Sequence, residues 1–171
     1  MGASVTSDSS DRKAISASLG GTDWDSTGTA PWGGGALSRR VRRGTQMGAT
    51  LYELPPGATG GLYHCHHGAE EMLVVLQGTI TLRTPEGERE IALGDVALFP
   101  PGAPAAHQTI NRTEAPMRHL MIGTIATPDV VEYPDRDEVL VIAMTKGMSG
   151  APLFDLFPAT ASRMRDETDP D

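Results

Sequence analysis

Four residues of this chain carry the donor types and the spacing of a mononuclear metal centre: His64, His66, Glu71 and His107. Successive side chains on a β-strand point to opposite faces, so His64 and His66 share one face and Cys65 takes the other. Glu71 opens the next strand after a short turn containing Gly68 and can fold back beside the two histidines. Imidazole suits iron, copper, nickel and zinc, and the carboxylate keeps manganese and iron(II) competitive. A structural zinc site is normally closed at four ligands. A six-coordinate ion held by these four residues would instead leave two positions for a substrate oxygen and for water or O2.

The elements that must position these residues are short strands. Thr50 to Leu54 ends at the Pro55-Pro56-Gly57 turn. Leu62 to His66 carries the first two ligands, and Glu71 to Leu76 is apolar on both faces, as a strand between a barrel interior and a second layer should be. Gly78 permits a tight turn. Thr79 to Thr84 and Arg89 to Leu93 read as a hairpin around Pro85-Glu86-Gly87-Glu88. Val96 to Phe99 follows, then Pro100 and Pro101 break the ladder because proline has no amide to donate. His107 to Ile110, Met117 to Thr124 and an edge strand from Val139 to Ala143 complete the set, with a short helix from about Ala159 to Arg165. Strands at this regular spacing predict an all-β barrel or double sheet.

Two stretches of the chain resemble the paired motifs of the cupin superfamily. The first runs from Gly61 to Gly78 with His64, His66 and Glu71; the second runs from Gly94 to Asn111 with His107. The Gly102-to-His107 gap holds four residues where the common pattern has two, which predicts a longer turn before that strand. From Leu51 to about Asp135 the text is similar to small bacterial stand-alone cupins, through phrases such as Tyr52-Glu53-Leu54-Pro55-Pro56-Gly57 and Val131-Glu132-Tyr133-Pro134-Asp135. The resemblance implies a double-stranded β-helix (jelly-roll) barrel with a divalent metal (Fe, Mn, Ni, Zn or Cu) on the four residues named. It leaves the substrate open.

Composition sets bounds. A chain of 171 residues suits one domain with tails: a flexible segment over 1–35, the barrel over 36–145 and an extension over 146–171. Residues 1–35 are too rich in Ser, Thr, Gly and Asp to order themselves, with Trp24 and Trp32 as anchors for docking. A net charge of −8 argues against nucleic acid or anionic membrane as partner. No apolar run approaches a membrane span and no signal sequence opens the chain; a single cysteine fits a reducing cytoplasm. Short myristoylation-like and glycosylation-like matches at Met1–Thr6 and Asn111–Thr113 are read as chance.

The remaining polar residues receive plainer roles. His67 has outward parity, Glu70 faces away from the ligands, Cys65 is off the metal face, His119 packs or lies at the surface, and Asn111 secures a turn. Arg39, Arg40, Arg42 and Arg43 read as a solvated edge strand whose charges discourage pairing, in preference to an anion site. A homodimer is expected, with Trp32, Leu153, Phe154, Leu156 and Phe157 covering the interface or packing on their own barrel. The leading functional expectation is a metalloenzyme performing O2-dependent, dioxygenase-like oxidation of a small organic molecule. A metal-dependent isomerase, cyclase or lyase acting through Lewis-acid chemistry is the alternative. A binding or sensing barrel without turnover is the third.

Overall fold

The computed structural model describes residues 17–28, 34–146 and 151–162, and it is built almost wholly of antiparallel strands. The strands are β1 (Ser26–Thr27), β2 (Leu37–Arg43), β3 (Met47–Leu54), β4 (Cys65–His66), β5 (Glu71–Gln77), β6 (Thr79–Thr84) and β7 (Gly87–Ala92). They continue with β8 (Val96–Phe99), β9 (Gln108–Ile110), β10 (Met117–Thr124), β11 (Asp129–Tyr133), β12 (Glu138–Lys146) and β13 (Pro152–Pro158), followed by one helical turn, α1 (Ala159–Ser162). A six-stranded sheet has the order β1-β2-β3-β10-β5-β8. A four-stranded sheet, β13-β12-β11-β4, and a three-stranded sheet, β7-β6-β9, complete a jelly-roll barrel.

The inner face of the large sheet is set by register. Tyr52 pairs with His119, Leu54 with Met117, Gly123 with Glu71, and Leu73 with both Met121 and Ala97. Paired residues share a face, so this row of contacts is one surface. Its closed end is the core: Leu54, Leu73, Val75, Ile80, Leu82 and Met117 are buried together, with Phe99 and Ala97 beside them. Gly78 turns β5 into β6 at φ 76°, and a Cβ there would stand 3.1 Å from the Met117 Cβ, so the position favours glycine for both conformation and space.

The outer face of the same sheet is different. Met72, Leu98 and Val96 alternate with the core residues and are exposed, and no second layer covers them among the described residues. The expected edge strand near Val139 is longer than its sequence pattern and is not an edge: β13 pairs along it, Phe157 opposite Val139 and Leu153 opposite Ala143. Leu153, Phe154, Leu156 and Phe157 therefore sit on a strand, with both of its faces exposed. Trp24 lies with its ring 5.4 Å from the Arg118 guanidinium; Trp32 falls outside the described residues. No helix among them is long and apolar enough to cross a membrane.

Candidate metal centre

Three short elements converge at the open end of the barrel. β4 brings His66, and the residue before it, His64, forms an antiparallel bridge with His107 just before β9. The predicted strand from Leu62 is thus shortened to two residues plus this bridge, closed by His64 N–H to His107 O at 3.1 Å and His107 N–H to His64 O at 2.8 Å. The longer Gly102-to-His107 segment forms a 3-10 turn at Ala103–Ala105, as its extra residues predict. Glu71 enters from the first position of β5.

Each imidazole has one nitrogen tied down. His64 Nδ1–H donates to Leu62 O at 2.7 Å, and His107 Nδ1–H donates to Ala105 O at 3.1 Å. His66 Nδ1–H donates to Asp129 Oδ2 at 2.6 Å. Carbonyls and carboxylates only accept, so each ring carries a proton on Nδ1, and in its neutral form each ring has a bare Nε2. The bare nitrogens face one carboxylate oxygen: Glu71 Oε2 lies 4.0 Å from His64 Nε2, 3.5 Å from His66 Nε2 and 3.4 Å from His107 Nε2. Phe99 stacks flat on His107, centroids 3.7 Å apart, and fixes its plane.

His64, Glu71 and His107 fit a cation: one ligand atom from each lies within 4.8 Å of the other two, a set that leaves His66 outside although its Nε2 is 3.5 Å from Glu71 Oε2. Donors about 2.2 Å from an ion are at most roughly 4.4 Å from one another, and the separations from Glu71 Oε2 fall inside that limit. Glu71 Oε2 and His107 Nε2 are buried with no hydrogen-bond partner among the described residues, which is costly unless something else satisfies them. Burial and then the neighbouring His107 lower His64 from its ordinary value to about 4, against the pull of Glu71, so the ring stays neutral and able to ligate near pH 7. Burial would raise the Glu71 carboxyl, but contact with His107 and the fields of His66 and His64 outweigh it and hold it low. His64 and Glu71 are therefore in their metal-binding protonation states.

The flanking residues take the places their strand parity implies. His67 faces the other side and meets Glu132 at 3.0 Å. Cys65 is buried against Tyr63 and Ala106; its sulfur lies within 4.8 Å of ligand atoms of His67 and Glu132, but burial and then Glu132 push its thiol upward, away from thiolate. Glu70 is exposed. Asn111 holds the turn after β9, donating to Leu54 O and Ala115 O at 2.8 and 2.9 Å while accepting from the Thr113 N–H and hydroxyl.

A cupin-domain family profile matches residues 50–123. A solved structure from Silicibacter pomeroyi, named as a sugar phosphate isomerase of the cupin superfamily, is 32% identical, with a TM-score of 0.66 over 75% of this chain and 80% of that one. The chain belongs to the cupin superfamily. A second solved structure, a provisionally named sugar phosphate isomerase from Acidithiobacillus ferrooxidans, is 29% identical with a TM-score of 0.66, covering 78% of this chain and 83% of that one. KdgF from Halomonas shares the fold at 19% identity, with a TM-score of 0.51 over 60% of this chain and 87% of its own. No curated protein matches this cupin.

Two neighbours of the centre, Asp129 and Tyr52, were given no role at the site by the sequence, and a third, His119, takes the packing role expected of it. Asp129 reaches His66 from β11 and also accepts the Gly68 N–H at 2.9 Å, coupling the ligand to the turn that delivers Glu71. Strand pairing between β4 and β11 brings it there, and nothing local to residue 129 announces it. His119 is fully buried and stacks on Tyr52 with centroids 5.1 Å apart; burial, then His107, lower it to about 3, so it is neutral. Tyr52 lines the same cavity as Glu71, and burial, reinforced by the Glu71 charge, raises its pKa, keeping the phenol protonated.

Proposed function

We propose that this cupin is a metal-dependent enzyme that isomerises a small carbonyl compound by proton transfer, with His64, His66, Glu71 and His107 holding the ion. The carrying observation is the gathering of three bare Nε2 atoms around Glu71 Oε2 at a cavity also lined by Tyr52. A bound divalent ion supplies Lewis acidity toward a carbonyl or enolate oxygen. Glu71 and the three imidazoles orient the ion, and Asp129 orients His66. The protonated Tyr52 phenol is the candidate donor to an oxygen that gains charge during the reaction. Isomerisation stands ahead of dioxygenase-like oxidation because two solved structures that match about three quarters of this chain are named as sugar phosphate isomerases, one of them provisionally. The exposed Met72, Val96 and Leu98 support a homodimer joined through the outer sheet face.

The test is an anaerobic incubation of the metal-loaded protein with aldose and ketose phosphates in D2O, followed by NMR. Solvent deuterium should enter the position next to the carbonyl, and the rate should fall at least tenfold in Tyr52→Phe. Turnover that requires and consumes O2 would replace this reading with the oxygenase. Tight ligand retention with neither exchange nor O2 uptake would make the protein a binder.

A further inference from the structure

The arginine run of β2 borders the same cavity, and a bulge decides which of its side chains face it. Arg40 pairs with Thr50, Arg42 with Ala49 and Arg43 with Gly48, so Val41 is an extra residue in the strand. A regular strand would send Arg40 and Arg43 to opposite faces. The inserted residue resets the parity, and both arginines share the face of Thr50, Gly48 and Tyr52. That face is the inside of the barrel. Arg40 and Arg43 are exposed, as the solvated strand expected from the sequence requires, and both also line the cavity, while Arg39, on the opposite parity, is half-buried and donates to Ser18 O and Gly20 O.

Register also defines the space between these arginines and the metal centre. Arg43 pairs with Gly48, Gly48 with Gly123, and Gly123 with Glu71, a single row across β2, β3, β10 and β5. Its two middle positions have no side chains. Three strand spacings of about 4.8 Å set the Arg43 and Glu71 backbones roughly 14 Å apart, and a cavity of about 210 Å3 lies along this row. A Cβ on Gly123 would stand 3.4 Å from Glu71 Cγ and 3.5 Å from Oε1, so a larger side chain there would crowd the carboxylate.

Among the described residues no carboxylate lies within ion-pair distance of either guanidinium, although Glu71 lines the same cavity. Among the described residues the arginines in ion pairs are Arg83, Arg112, Arg118 and Arg136. Asp25, which touches this segment, accepts from the Arg40 backbone N–H at 2.7 Å. Two fork-shaped cations on one wall match a dianionic group with several acceptor oxygens, whereas one carboxylate would occupy only one of them. We propose that Arg40 and Arg43 bind the phosphate of a phosphorylated small-molecule substrate whose other end reaches the His64–His66–Glu71–His107 centre. The proposal rests on the metal-dependent reading above and names the substrate class for that site.

Inorganic phosphate should be titrated calorimetrically into the full chain, once stripped with a chelator and once loaded with Mn2+. Phosphate binds both forms of the wild type. Arg40→Gln/Arg43→Gln weakens phosphate at least tenfold in the stripped protein and leaves Mn2+ affinity unchanged, which also verifies the fold; each single variant weakens it less. His66→Ala loses Mn2+ but keeps phosphate, so the two readings fail separately. The proposal is overturned if the double variant titrates like the wild type, if stripped wild type binds no phosphate, or if acetate binds as tightly as phosphate.

Discussion

The two faces of the large sheet are made from alternating residues of the same strands, yet they obey different rules. On β5 the inward Glu71, Leu73 and Val75 run from the metal centre into the core, while the outward Met72 is exposed. On β8 the inward Ala97 and Phe99 are buried, and the outward Val96 and Leu98 are 58% and 54% exposed. Burial explains the inner apolar residues as core, with polar groups admitted only where partners or an ion can satisfy them. At its β5–β8 end the outer face carries Met72, Val96 and Leu98, which are apolar yet exposed, as on surfaces that meet another. On the function and homodimer proposed above, β5 serves chemistry on one side and association on the other.

His66→Ala should produce the largest effect. Metal affinity should fall by more than the roughly 10–100-fold typical when only a group that orients a ligand is lost. Metal analysis after dialysis checks it, while an unchanged circular dichroism spectrum shows that the barrel persists. Next, Leu73→Ala should cost about 2–5 kcal/mol in urea unfolding, because it empties a fully buried inner position. Asp129→Asn keeps the shape but removes the charge from His66 Nδ1, and metal affinity should fall about 10–100-fold with little change in the melting temperature of the stripped protein.

Acid should also separate the faces. His64 and His119 have folded values of about 4 and 3, below the 6.5 of an unfolded histidine. The unfolded chain therefore binds more protons as pH falls below about 6.5, and stability is lost from there down toward the folded values. Each group should contribute about 1.4 kcal/mol per pH unit inside its window. Unfolding of the stripped protein between pH 6.5 and 4 should show this slope, and His119→Gln should flatten it by about half. The smallest effect is expected outside: Met72→Ala should change the unfolding of dilute protein by no more than about 0.5 kcal/mol. Its cost should grow with protein concentration if the outer face joins two copies, and a loss as large as that of Leu73→Ala in dilute protein would erase the distinction between faces.

What the sequence disclosed follows physical range. His64, His66 and Glu71 lie within one strand–turn–strand unit, where parity and a short turn suffice to place them, and Asn111 announces its turn through its own local hydrogen bonds. Asp129 could not be found this way, because it depends on β11 pairing with β4 across 63 residues of sequence. Arg43 is the clearest case. Period-two counting assigns it to the face opposite Arg40, and only the bulge at Val41 reverses that. The tail from Leu153 to Phe157 carried apolar residues on both parities, a pattern that could not distinguish a covering segment from the added strand that it forms.

The central claim is that one ion draws its ligands from His64, His66, Glu71 and His107, and X-ray absorption spectroscopy of the metal-loaded protein tests it most directly. Three imidazole nitrogens and a carboxylate oxygen at about 2.0–2.2 Å are the predicted result. A sulfur neighbour near 2.3 Å would place the ion on the Cys65 side of β4 and contradict the account.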